Sequence, residues 1–248
     1  MALLTALDIA QRAMDEVGLP RPLVLANSSA PLSLQLLALL NSGAREIMRA
    51  HDWGELISLA TVTTVKAQSD YPLPVDYHRM VPETQWDRSN IRPLSGPITP
   101  QRERYEIERG VNVGIPREFR QIGKAAVRIT PIPSANGETL SYQYVSKNWA
   151  VSAALATQQE IQADTDTTVF DPDLLVKDLR WRFFMAKGWD SAAMKLERDA
   201  VFYQQTSADI GSSTLSLSRK RRNSSGDVIA GANPDVIVTD NGDYLGWI

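Results

Sequence analysis

The chain has 248 residues, 43% of them hydrophobic and 22% charged, and it contains no cysteine. That length supports one sizeable core or two small ones. A formal net charge of −3 argues against an autonomous nucleic-acid binder, which uses a positive excess to displace counterions from phosphate. Without thiols, neither a disulfide framework nor a thiolate metal site is available.

The opening "MALLTALDIAQRAMDEVG" has no basic leader and is interrupted by Asp8, Asp15 and Glu16, so no signal peptide is expected. No run approaches the roughly 18 apolar residues of a membrane span. Within that opening, Ala6, Ile9, Ala10, Ala13 and Val17 repeat at helical spacing, with Thr5 placed to cap the start and Gly18 and Pro20 to stop it. A second helix is expected from about Pro31 to Asp52, its apolar face made by Leu32, Leu36, Leu39, Leu40, Ile47 and Ala50.

The period then changes. Leu56 to Val65, Ala126 to Thr130 and Thr139 to Val145 are rich in β-branched residues, and the last places Leu140, Tyr142 and Tyr144 on one face. Turn chemistry fills the spaces between them, so the region from Leu56 to about Trp149 reads as an inserted antiparallel sandwich or barrel. Helical signals return at Asp171, a good N-cap followed by Pro172, with Leu175, Leu179, Phe183 and Ala186 along one face. "KGWDS" at Lys187 to Ser191 predicts a break before a last helix with Ala192, Ala193, Leu196, Ala200 and Tyr203 on its apolar face. The expected class is α+β: residues 1–55 and 150–210 form a helical bundle, 56–149 a β-rich insert, and 211–248 an extended tail.

Little of this suggests catalysis. His51 stands at a helix C-terminus, where the macrodipole favours it. His78 lies near Asp76, but no G-x-S-x-G elbow accompanies them. Asp164, Asp166, Asp171 and Asp173 lack the spacing and loop glycine of an EF-hand and read as caps and solvated loop. No cofactor motif is present, neither a G-x-G-x-x-G nor a phosphate loop. In "SDYPLPVDYHRM", Ser69 to Met80, Pro72 and Pro74 stiffen the chain, Tyr71 and Leu73 are biased to extended geometry, and Asp70 and Asp76 are expected to serve local turns. Exposed, Tyr71, Tyr77 and Trp86 would instead make a sugar-stacking platform, as in a receptor-binding module of a tail fibre.

The order of several short motifs is more telling than any one of them: "HDWGEL" (His51 to Leu56), a strand, "DYPLPVDYHRM", a tryptophan, "PLSGP", "GIPREF", "ITPIP" before a Tyr-containing strand, and closing helices. In this order, over about Leu3 to Tyr203, the chain resembles the head-to-tail adaptor proteins of short-tailed phages, called tail tubular protein A in one branch. The resemblance implies a structural protein, not an enzyme, with no cofactor or metal. It would be a virion component of the neck and tail, assembled in the host cytoplasm. It implies a homo-oligomeric ring, dodecameric in relatives, between the portal protein and the tail nozzle. Genomic DNA would pass through the channel without sequence-specific binding, and no membrane is involved.

Such adaptors also tend to grip the portal with a C-terminal extension. Here that extension has a Ser-rich linker, the basic run Arg219, Lys220, Arg221 and Arg222, and a strand-prone end with Val236, Ile237, Val238, Tyr244, Leu245, Trp247 and Ile248. An isolated hairpin is marginal in water, so this end is expected to dock on a partner.

Overall fold

The structure, a computed structural model, describes residues 4–110, 113–116, 118–123 and 125–209. Helix α1 (Ala6–Val17) starts in a capping box: Asp8 N–H donates to Thr5 Oγ1 at 3.2 Å, and Thr5 N–H donates back to Asp8 Oδ2 at 3.1 Å. It ends at Gly18, whose φ of 74° is the left-handed cap glycine supplies. Helix α2 (Pro31–Ala50) begins with proline at N1 and stops where His51 turns extended.

A single 3₁₀ turn, Gly54–Leu56, leads to β1 (Ile57–Thr63). Then come β2 (Asp70–Pro72), β3 (Tyr77–Met80), β4 (Trp86–Asp87) and β5 (Arg92–Pro93). Helix α3 (Pro100–Glu108) precedes β6 (Val113–Gly114), β7 (Glu118–Ile122), β8 (Ala126–Thr130) and β9 (Ile132–Pro133). Strand β10 (Thr139–Ser146) is followed by the short β11 (Ala150–Val151), β12 (Thr157–Gln158) and β13 (Thr167–Thr168). Helices α4 (Pro172–Lys187) and α5 (Ala192–Asp209) close the described chain.

β10 organises the sheets. β1 pairs with it antiparallel from Ile57↔Val145 to Thr63↔Thr139, and β3 and β4 share its other edge, with β5 beyond β4. A second antiparallel sheet runs β2-β8-β7 and faces the first, closing Tyr71, Phe119, Val127 and Ile129 onto Leu140, Val62 and Met80. The α+β class is as the sequence predicts; the sheets pack face to face without closing into a barrel. One short pair, β6 with β9, is parallel.

The two-residue period of β10 also joins the β region to the helices. Leu140, Tyr142 and Tyr144 point into the β core, whereas Val145, fully buried, packs in the helical core with Trp149 and Ile47. That helical core is centred on α4, which packs against α1, α2 and α5 and contributes Leu174, Leu175, Leu179 and Phe183. Asp171 caps α4 through the Asp173 N–H at 2.7 Å, and Gly188 ends it in the left-handed region at φ 72°. The break expected at "KGWDS" is therefore real, and Trp189 seals it edge-on against Phe183 and Phe184.

Candidate functional site

His51, Asp70, Asp76, Asp164 and Asp166, singled out above, are engaged in structural links. His51 Nε2 lies 3.3 Å from Asp209 Oδ2, which also accepts the Gly54 N–H at 2.9 Å, so the end of α5 is tied to the end of α2. Asp76 does not serve a local turn: its carboxylate accepts the Tyr144 hydroxyl at 2.9 Å and the Ser146 hydroxyl at 2.6 Å, fastening the β2–β3 link to β10. Nor does Asp70, which binds both Nε and Nη2 of Arg128 at 2.6 and 2.8 Å. Paired geometry of this kind is the strong form of a charged hydrogen bond, and Arg128 holds the Asp70 carboxyl below its ordinary range.

The acidic cluster divides in the same way. Asp164 Oδ1 receives the Leu25 and Ala26 N–H groups at 3.0 and 2.6 Å. Asp166, buried, receives Gln162 and Ala163 N–H at 2.8 and 2.9 Å. Their oxygens satisfy backbone donors that burial would otherwise strand. Among the described residues no group of three His, Asp or Glu is arranged to hold a metal ion.

The stretch Ser69 to Met80 is not one stiff connection but two strands of different sheets, β2 on β8 and β3 on β10. Its tyrosines are interior. Tyr71 is 4% exposed, its hydroxyl accepting the Val65 N–H at 3.0 Å and donating to the Gln68 carbonyl at 3.1 Å. Tyr77 packs 5.9 Å from Tyr144 in a cluster with Tyr142. Burial pushes the Tyr142 hydroxyl up to about 12, and burial with the Asp76 carboxylate does the same for Tyr144. Trp86 is half-buried. A platform of exposed rings for sugar stacking is therefore not what Tyr71 and Tyr77 form.

Two ion-pair networks were not foreseen. In the first, Asp178 on α4, 1% exposed, takes Arg182 Nε at 2.6 Å and Arg198 Nε of α5 at 3.0 Å. Arg182 reaches on to Glu46 of α2 at 2.6 Å. Burial alone would lower the Arg182 guanidinium, but Glu46 and Asp178 outweigh it and hold it above its usual value; Arg182 in turn holds Glu46 below its own. Arg182 and Arg198 both lie over the Trp181 ring, at 5.1 and 5.6 Å. The available signal was Asp178 and Arg182 one turn apart within an apolar stripe. In the second network Glu103 of α3 meets Arg120 and Arg128. Helix α3 itself was missed, although Thr99 before Pro100 and the i,i+4 pair Arg104–Glu108 mark it.

The face of α5 also differs from expectation. Ala192, Ala193, Leu196, Ala200 and Tyr203 are all exposed, Leu196 to 73% and Tyr203 to 68%. The helix instead packs through Met194, Arg198, Val201 and Phe202, with Arg198 over the Phe202 ring. The orientation follows from the buried carboxylate: Asp178 needs Arg198, so Arg198 turns inward and carries the small-residue stripe outward. Met185 and Trp189, before α5, are also about half exposed. The candidate docking residues Arg219, Lys220, Arg221, Arg222, Val236, Ile237, Val238, Tyr244, Leu245, Trp247 and Ile248 lie outside the described residues.

The described chain is a helical scaffold locked by internal ion pairs, with a sheet region joined to it through β10 and an apolar helix face left open. The chain belongs to a family of adaptors: the model of the SU10 adaptor protein family matches residues 4–230. That assignment agrees with the order of motifs in the sequence, three of which prove to be packing joints. Trp53 of "HDWGEL" donates from Nε1 to the Ile47 carbonyl at 2.8 Å and packs on Phe170. Phe119 of "GIPREF" fills the β core. Gly96 of "PLSGP" lies so close to the Phe119 carbonyl and ring that no Cβ fits. No curated protein matches the chain.

Proposed function

We propose that this adaptor is the head-to-tail connector of a short-tailed phage, a ring of identical subunits, dodecameric as in relatives, between the portal and the tail nozzle. DNA passes through its channel without sequence-specific contact. Residues 1–55 and 150–210 make the ring, 56–149 face the tail components, and 211–248 dock on the portal through the basic run and the apolar strand-prone end. Assembly takes place in the host cytoplasm before the subunit becomes part of the virion neck.

Family membership supports the reading, and the observation that carries it is the open face of α5. A helix of 18 residues without a single fully buried side chain packs on its own subunit through one face, with Val201 and Phe202, and leaves the opposite face open. Its stripe of Ala192, Leu196, Ala200 and Tyr203 is suited to close packing against a neighbour. A net negative charge is compatible with a lumen that repels DNA rather than binds it.

The test is Leu196→Asp. A buried, unpaired carboxylate at a subunit contact should abolish ring formation on portal complexes while the isolated subunit melts as before. Rings formed normally by the variant would remove α5 from the interface.

A further inference from the structure

The outward face of the β2-β8-β7 sheet carries a row of charge, and α3 covers it. Asp70, Arg128 and Arg120 stand in register across the three strands. Like charges directly opposite one another destabilise a sheet. Here the Glu103 carboxylate enters between the two arginines, Oε2 on Arg120 Nη1 and Oε1 3.3 Å from Arg128 Nη1.

Glu103, 5% exposed, is the buried residue of α3. The large apolar side chains of the helix, Tyr105 and Ile107, are about half exposed, at 53% and 48%. This helix is therefore held by charge, not by an apolar face, with Arg102 to Glu118 at 3.1 Å as a further link. Its root is fixed independently: the Ile98 N–H donates to the Phe119 carbonyl at 2.9 Å, and β6 beyond the helix pairs with β9. Phe119, Val127 and Ile129 close the core on the opposite face of the sheet, so lifting α3 would leave the core intact.

We propose that Arg120 and Arg128 form a carboxylate clamp with Glu103 as its exchangeable resident ligand, so that α3 is a strap that lifts to admit an acidic segment of a partner protein. Two guanidiniums converging on one carboxylate give directional, charge-assisted recognition. The resident Glu103 competes at the effective concentration of a tethered group, so the incoming segment must bring several carboxylates. The proposal does not depend on the ring.

A short poly-glutamate peptide is the probe, with sodium chloride at equal ionic strength as control. E103Q, which removes the resident charge and so weakens its hold on the clamp, should bind the peptide about tenfold tighter than the unaltered chain. The triple variant E103Q/R120Q/R128Q should lose that gain. In the unaltered chain the peptide, and not the salt control, should accelerate hydrogen exchange in α3 about threefold while α4 is unchanged. Equal binding by E103Q and the unaltered chain, a gain that survives in the triple variant, or an α3 response to ionic strength alone would each overturn the clamp.

Discussion

Gly43 of α2 and Asp178 of α4 approach so closely that no side chain fits between them: a methyl group at residue 43 would overlap Asp178 Oδ2 and stand 2.9 Å from Arg182 Nε. The glycine makes room for a buried carboxylate that in turn orients two arginines and, through Arg198, the whole of α5.

Gly43→Ala is therefore expected to destabilise the fold despite alanine's better helix propensity. An overpacking cost of about 1–3 kcal/mol, added to strain on the ion pair, exceeds the roughly 1 kcal/mol that alanine gains in a helix interior. Urea unfolding should show a lower midpoint with an unchanged slope. In an Asp178→Ala background the same substitution should cost much less, because the overlapping oxygen is gone.

Asp178→Ala removes the buried partner of two guanidiniums and leaves Arg182 with Glu46 at 2.6 Å and Arg198 with Asp199 at 2.8 Å. The expected loss is about 1–3 kcal/mol. Combined with Arg198→Ala, the effects should fall short of additivity by about 1–2 kcal/mol, since one contact is counted in both. Strict additivity would place the α4–α5 lock elsewhere.

Stability should fall at both ends of the pH scale for separate reasons. Burial pushes the Tyr142 and Tyr144 hydroxyls up to about 12 in the folded chain, against about 10 when exposed. Raised values mean that the folded state keeps these protons longer, so the stability they contribute is complete below about 10 and is lost as pH climbs through about 12. Tyrosinate absorbance followed alongside the unfolding midpoint should show both changing over that window. Glu46 and Asp70 act in the opposite sense: Arg182 and Arg128 depress their values, so their contribution is present above the usual carboxylate range and is lost as pH falls below it. Both pairs are partly exposed, and added salt should shrink the acid effect.

Deleting residues 219–248 should leave the thermal transition of the remaining chain in place and abolish attachment to the portal. A Ser-rich linker precedes the basic run, and the strand-prone end reads as a docking tail and not as part of the folded domain, which is why the fold should survive. Normal attachment would end the docking role of the basic run and the apolar end.

Much of this architecture was readable in the residues because local chemistry decided it. Thr5, Gly18, Pro31, Asp171 and Gly188 mark helix ends by capping and φ, and the alternation of Leu140, Tyr142 and Tyr144 survives in the β core. What escaped was decided at long range. The face that α5 buries depends on Asp178, one helix away, and the partners of Asp70 and Asp76 lie 58 and 68 to 70 residues along the chain. Helix α3 escaped for a different reason: it has no apolar periodicity to detect, being held by Glu103.

The central claim, that this chain is a connector ring, is tested most directly by electron microscopy of portal–tail complexes assembled with it. The account predicts a closed ring of this chain beneath the portal, with α5 faces at the subunit contacts and an open axial channel. Density for the chain only in fibres, or a portal–nozzle junction complete without it, would contradict that claim.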